Sequence, residues 1–379
     1  MVYIAFAYLS LVGLGLIDNS RGPLYPQILE YFQITKAEGA LIFSSSSLSA
    51  FLTALPVRSW VKKLGIIRAT KISLFFDVIS CWGFSFCGEG ELGFITLLAF
   101  SVLFGVGVGL KTISMNLIIN SAYKGAQKRK IFSGLHSMYG ASSLLAPLLV
   151  GWLLTKDLLW TEVFRLISIP SLLVLIGFCK LGHLESVMPK TGEKTDVPLS
   201  LLVSVSVMLS TYVASEIIVS TRLVLYLKEV YFYESAEASF YLSLFFVGLL
   251  LGRVLFSIKE LAISTLSILR FSIILNLILS ITGLFYHPIA FSLLGLSMSI
   301  FFPCVMSLIS EQFTILSDYL VAKAMQAVGF SLVTIHYLFG LVSTYFSLEA
   351  AMSLVFILSL ICASILFLER RLVLPAPRD

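Results

Sequence analysis

Long apolar runs separated by short polar connections fill this chain from end to end. A helix needs about 20 apolar residues to cross the hydrocarbon of a bilayer, and twelve segments meet that requirement. They lie at roughly 2–31, 37–62, 68–88, 91–121, 132–155, 161–181, 199–227, 235–257, 263–286, 288–311, 320–346 and 348–369. Several exceed the minimum, so tilted or bent spans are expected. One connection stands apart: the polar stretch HLESVMPKTGEKTDVPL, from His183 to Leu199. It divides the chain into two sets of six, giving an N-terminal half over 1–182, a central loop over 183–198 and a C-terminal half over 199–379 with a short tail. The pattern predicts an all-α membrane protein.

The basic residues fix an orientation for these segments. With the N-terminus inside, the cytoplasmic connections carry Arg58, Lys62, Lys63, Arg68 and Lys71, then Lys124, Lys128, Arg129 and Lys130. Lys190, Lys194, Lys259, Arg270 and the tail residues Arg370, Arg371 and Arg378 follow, while the outer connections hold only Lys36, Lys156 and Lys228. Cytoplasmic loops are enriched in Lys and Arg, and shifting the helix count by one would scramble this asymmetry. Both termini are therefore expected in the cytoplasm.

Composition agrees with a bilayer as solvent. Of 379 residues, 58% are hydrophobic and 12% charged, with a mean hydropathy of +0.98, against roughly 25% charged in soluble domains. The first apolar run is too long for a signal peptide and has no basic n-region, so it is expected to be retained. A net charge of +5 is weak evidence for nucleic acid, and its confinement to connections removes that reading. Cys81, Cys87, Cys179, Cys304 and Cys362 show no CxxC spacing and suggest neither a disulfide framework nor zinc. No GxxxxGK[ST] loop, HExxH motif or Ser/His/Asp grouping at one depth occurs, so neither an ATP-driven pump nor an enzyme is expected, and no cofactor.

The two halves correspond. Arg58 and Arg253, each ending the second segment of its half, are 195 residues apart, and two six-helix halves in parallel repeat are a transporter pattern. Several stretches carry a family resemblance: YPQILEYFQITKAEGALI, VKKLG at 61–65, GVGVGLKTISMNLII leading to Asn116, LHSMYGASSLLAPLLVG, YVASEIIVST followed by GLLLGRVLFS, and FFPCVMSLI. In this order they resemble the major facilitator superfamily, most closely its fucose–proton symporter-like sugar branch. The resemblance implies two pseudo-symmetric six-helix halves that rock about a central cavity lined by helices 1, 4, 7 and 10. The chain also departs from the pattern. The facilitator loop G-x-x-x-D-R-x-G-R keeps Gly65 but has Arg58 and Lys62 at its first Gly and its Asp. The symporter's helix 1 carboxylate aligns with Gly22, its helix 4 Glu with Thr112, and a large aromatic of helix 7 with Arg222.

Charges inside the bilayer cost at least roughly 2.5–3.5 kcal/mol each and call for a partner or a function. Asp18 and Arg21 are three apart, about 60° and 4.5 Å along a helix. They read either as a self-neutralising pair or as a solute-binding Arg beside a proton-carrying Asp; Arg suits carboxylates because its planar fork donates two parallel hydrogen bonds. Gly22, Pro23 and Pro26 would break or bend the helix just beyond them. Glu216, 195 residues after Arg21, is a second candidate proton site. Lys111 follows Gly105, Gly107 and Gly109, glycines read as helix contacts, and is a candidate anion ligand. Arg222 reads either as a solute contact or as an interfacial snorkelling residue. Asn116, Tyr139 and Tyr212 are candidate hydrogen-bonding groups, with Ser220. Asp77 finds no local partner. His136 and His336 read as packing residues.

The expectation is a monomeric secondary transporter in a bacterial inner membrane, moving a small anionic or zwitterionic organic solute with protons. A neutral-sugar proton symporter and a non-transporting facilitator-like receptor are the alternatives.

Overall fold

The computed structural model describes residues 2–122, 125–179, 197–258, 263–313 and 317–369. Among them there are fourteen helices and no strand. The N-terminal half contains α1 (Val2–Phe32), α2 (Lys36–Ala54), α3 (Val57–Leu64), α4 (Ile66–Ser85), α5 (Gly90–Ala122), α6 (Gly125–Leu154) and α7 (Trp160–Cys179). The C-terminal half contains α8 (Leu199–Val230), α9 (Ser235–Ile258), α10 (Thr265–Phe285), α11 (Ile289–Met298), α12 (Phe301–Gln312), α13 (Ser317–Tyr345) and α14 (Leu348–Leu368). Most of the central loop, with Lys190 and Lys194, lies outside the described residues, as do Lys124, Lys259, Arg370, Arg371 and Arg378.

Fourteen helices make twelve segments because two spans are each built from two helices. Ten segments, one of them α11 with α12, are long and apolar enough to cross a membrane, and the pair α2–α3 makes an eleventh. The twelfth is α4, whose 20 residues carry Arg68, Lys71 and Asp77. Local chemistry explains the ends. Thr35 and Glu38 form a reciprocal capping box at α2, satisfying two otherwise orphaned backbone donors. Ser264 and Ser347 cap α10 and α14 with their side chains. Pro56 interrupts the second span, and α3 leaves α2 at 72°. Gly65, at φ 72°, admits the left-handed turn into α4.

Of the expected break or bend in the first span, the break is corrected here. Pro23 and Pro26 sit inside α1 without breaking it. Gly22, Pro23, Leu24 and Tyr25 are all buried, and packing by neighbouring helices lets a membrane helix tolerate proline.

The helices pack as two compact units: α1–α7 with Glu234–Phe240, and α8–α14 without that stretch. In the first, α1 lies on α6 and α7, α2 on α5, and α4 on α5 and α7; in the second, α8 lies on α13 and α14, and α10 on α11, α12 and α14. Lipid-like surroundings give little hydrophobic drive between helices, so small residues and close backbone contact matter. A Cβ on Gly105 would come within 2.0 Å of the Ser46 carbonyl oxygen, and one on Gly295 within 1.9 Å of that of Phe245.

Candidate functional site

Midway along α1, Asp18 and Arg21 form an ion pair, as their spacing suggests. Arg21 is buried, 9% exposed, and its other terminal nitrogen donates to Ser46 Oγ on α2 at 2.8 Å. Ser46 spends its own proton on the Phe43 carbonyl at 2.9 Å, which leaves its lone pairs for the guanidinium. The rings of Phe43 and Phe104 lie 5.1 and 4.7 Å from Arg21 Cζ, where a partly desolvated cation is stabilised by the ring faces. Arg21 is thus held on three sides by α1, α2 and α5.

Asp18 has a different outlook. Its second carboxylate oxygen accepts a hydrogen bond from the Tyr139 hydroxyl of α6 at 2.9 Å. The Asn19 amide donates to Ser143 Oγ at 2.9 Å and to the Tyr139 oxygen at 3.4 Å, tying the same two helices together. The Asp18 side chain keeps 28% of its surface exposed, and it opens into a cavity of about 210 Å³ within this unit. Leu11, Leu14, Val108 and Leu135 supply apolar walls; Thr112, Asn116, His136 and Tyr139 supply polar groups. Asn116 spends one of its two amide hydrogens on the Thr112 carbonyl of its own helix at 2.9 Å, which leaves its oxygen and a second hydrogen for a ligand.

The predicted residues therefore separate. Asp18, Asn116 and Tyr139 share the cavity, and Arg21 stands behind Asp18 rather than on the wall. Lys111 is elsewhere: fully buried, it is paired with the equally buried Asp77 of α4. Asp77 Oδ2 also accepts from Ser171 Oγ of α7 at 3.1 Å, so a charge that sequence offered to an anion joins α4, α5 and α7 instead. Among the described residues neither Lys nor Arg lines this cavity. His136, read from sequence as a packing residue, is exposed on its wall; its placement three residues before Tyr139 on α6 was the available signal.

In the second unit, Tyr212 and Glu216 meet on α8. The Tyr212 hydroxyl lies 2.9 Å from Glu216 Oε2 and 2.5 Å from the Met298 carbonyl oxygen, and its ring stacks on Phe301 at 4.4 Å. Arg222, also on α8, does not snorkel: it is 1% exposed, with its guanidinium over the Phe339 ring at 5.5 Å. Among the described residues no group of three or more metal-ligating side chains occurs.

The family model of the Major Facilitator Superfamily matches residues 7–337. Solved structures share the fold at low sequence identity. A bacterial homologue of the human lysosomal transporter Spinster, inward-facing and unoccupied, superposes with a TM-score of 0.77 at 14% identity, covering 98% of each chain. A D-xylose–proton symporter gives 0.72 at 15% identity, covering 95% of this chain and 97% of that one. The inward-open xylose transporter XylE from E. coli gives 0.74 at 14%, covering 95% and 94%. No curated protein matches the sequence.

Proposed function

We propose that this chain, which belongs to the major facilitator superfamily, carries a small neutral hydroxylated solute together with a proton held on Asp18. The family and fold are those of a multi-pass membrane transporter; solute and coupling are the proposal. The observation that carries it is the double outlook of Asp18, open to a cavity on one side and bonded to buried Arg21 on the other. Ionised, the carboxylate balances the guanidinium. Protonated, it leaves a clamped cation with no counter-charge, which is costly away from water. Proton loading therefore changes the relative energy of any two arrangements that differ in how they solvate Arg21, and that is the requirement for coupling a gradient to alternating access.

The wall chemistry supports the solute class. Hydroxyls of Thr112 and Tyr139, the Asn116 oxygen, the His136 imidazole and the Asp18 carboxylate alternate with four aliphatic side chains, a mixture suited to a ring bearing several hydroxyls. The space is about 210 Å³, just below the ~300–1,000 Å³ of pockets for drug-sized ligands, and suits a small molecule. The D-xylose–proton symporter among the structural neighbours is of the same chemical class. We place both termini in the cytoplasm from the basic-residue asymmetry and the chain in a bacterial inner membrane from its short connections and lack of glycosylation signals, and take the monomer as the working unit.

A second reading keeps the anionic or zwitterionic solute. It rests on the Arg21–Asp18 pair: neutralising Asp18 would leave a guanidinium donor for a solute carboxylate. Uptake into proteoliposomes under an inward proton gradient separates the readings. Accumulation of labelled neutral pentoses or hexoses is expected. Accumulation of small carboxylates alone would favour the second reading, and uptake of neither above empty liposomes would favour a receptor without transport.

A further inference from the structure

The span made by α11 and α12 is interrupted at Ser299 and Ile300. Pro303 accounts for the interruption: it has no N–H for the Ser299 carbonyl four residues earlier, and its ring crowds that oxygen. The last carbonyls of α11 also lack intrahelical partners, as at any helix end. In a bilayer such groups must find donors within the protein, and three consecutive ones do, each from a different helix. Ser272 Oγ of α10 donates to the Ser297 carbonyl at 2.5 Å, Tyr212 of α8 to that of Met298 at 2.5 Å, and Arg253 Nε of α9 to that of Ser299 at 3.4 Å. A Cβ on Gly252 would meet Ser299 Oγ at 1.9 Å, so the absence of a side chain there is what lets α9 approach the break.

Of these donors, Tyr212 has a second acceptor within hydrogen-bond reach. Its single hydroxyl hydrogen faces both the Met298 carbonyl and the Glu216 carboxylate, and one hydrogen cannot align well with both. The ring is fixed by its stack on Phe301, the first residue of α12, with 19° between planes, so the hydroxyl rotates and the ring stays. Around Tyr212 the charged and titratable groups are Glu216 on its own helix, Arg253 from α9 and Cys362 from α14. Among the described residues Glu216 has no ion-pair partner, so Tyr212 is the group that responds to its charge.

We infer that Glu216 is a second proton-binding site, and that the break between α11 and α12 reads its occupancy through the Tyr212 hydroxyl. With Glu216 ionised, the hydrogen turns to the carboxylate, because bonds to a charged acceptor are about twice as strong, and the Met298 carbonyl is left to the mobile break. When water delivers a proton to Glu216, its O–H donates to the tyrosine oxygen. The tyrosine hydrogen then goes wholly to Met298, and the break is pinned. Release of the proton to water reverses the sequence; the tyrosine never loses its own hydrogen. The inference extends the proton-coupled reading of the chain but does not depend on Asp18.

Hydrogen–deuterium exchange on the full-length protein in nanodiscs tests it, with peptides covering Leu296–Phe302 followed from about pH 5.5 to about pH 8 and corrected for intrinsic exchange. Protection of the wild-type break should fall by up to about tenfold as pH rises, the size of one net hydrogen bond between neutral groups. Glu216→Gln, whose amide can donate to the tyrosine oxygen at every pH, should keep the break protected throughout. Tyr212→Phe should leave it unprotected throughout. A pH response in Glu216→Gln equal to that of wild type, or no response in wild type, overturns the inference. Should Tyr212→Phe fail to fold, Glu216→Gln alone still decides. Asp18→Asn serves as the control: it should lose proton-driven uptake yet retain the pH response of the break, so failure of one proposal is distinguishable from failure of the other.

Discussion

The first helix of each half carries a carboxylate near a tyrosine, yet the two clusters answer a proton in different ways. On α1, Asp18 has a resident cation: Arg21 is paired with it and clamped by Ser46, Phe43 and Phe104. On α8, Glu216 has the Tyr212 hydroxyl and, among the described residues, no ion-pair partner. Protonating Asp18 removes the counter-charge of a directly paired, clamped guanidinium. Protonating Glu216 breaks no ion pair among the described residues, since Arg253, the cation near Tyr212, is bonded to the Ser299 carbonyl. The same contrast recurs one layer out. Asp77 joins α4 to α7 through Ser171 and is balanced by Lys111; Asn276 joins α10 to α14 through Ser359 at 3.1 Å with no charge involved. The halves share a layout, but at these two sites the first uses an ion pair where the second uses hydrogen bonds. An ion pair ties stability to both partners, while a neutral contact can be lost cheaply.

The sharpest way to break this comparison is to unbalance the buried pair. Lys111→Met leaves the buried Asp77 carboxyl without its cation, and should cost about 3–5 kcal/mol, read as a large fall in Tm in detergent. Adding Asp77→Asn to it should restore most of the loss. Asn276→Ala in the second half should cost only about 1–2 kcal/mol; equal losses would contradict the contrast. Next in size come the close helix contacts, where the halves should behave alike. Gly105→Ala and Gly295→Ala each push a Cβ against a backbone oxygen, for about 1–3 kcal/mol apiece by the same thermal measurement. The smallest effect is expected from Tyr139→Phe. It removes one hydrogen bond to Asp18 and should slow proton-driven uptake about fivefold to tenfold, with Tm nearly unchanged, since the hydroxyl already faces the cavity.

Much of the fold was legible because each span writes its length directly as apolar residues. The Asp18–Arg21 pair was legible too, since a spacing of three places side chains on one helix face. What stayed hidden depends on the register between helices. Lys111 and Asp77 are 34 residues apart on separate spans, and no local pattern says that α4 and α5 bring them together. Lys111 therefore looked like a charge available for a solute. The interruptions of two spans were partly readable: Pro56 and Pro303 mark both, but Pro23 and Pro26 mark none. Proline alone does not decide whether a span is interrupted. His136 showed its place only once α1, α5 and α6 enclosed a cavity.

Proton coupling through Asp18 is the central claim, and one paired measurement addresses it most directly. Wild-type and Asp18→Asn proteins are reconstituted into liposomes, and the neutral sugar taken up is followed twice, under an inward proton gradient and as counterflow without one. The wild type should accumulate sugar above equilibrium and exchange it; Asp18→Asn should exchange it at a comparable rate and accumulate none. Gradient-driven accumulation persisting in Asp18→Asn would contradict the assignment.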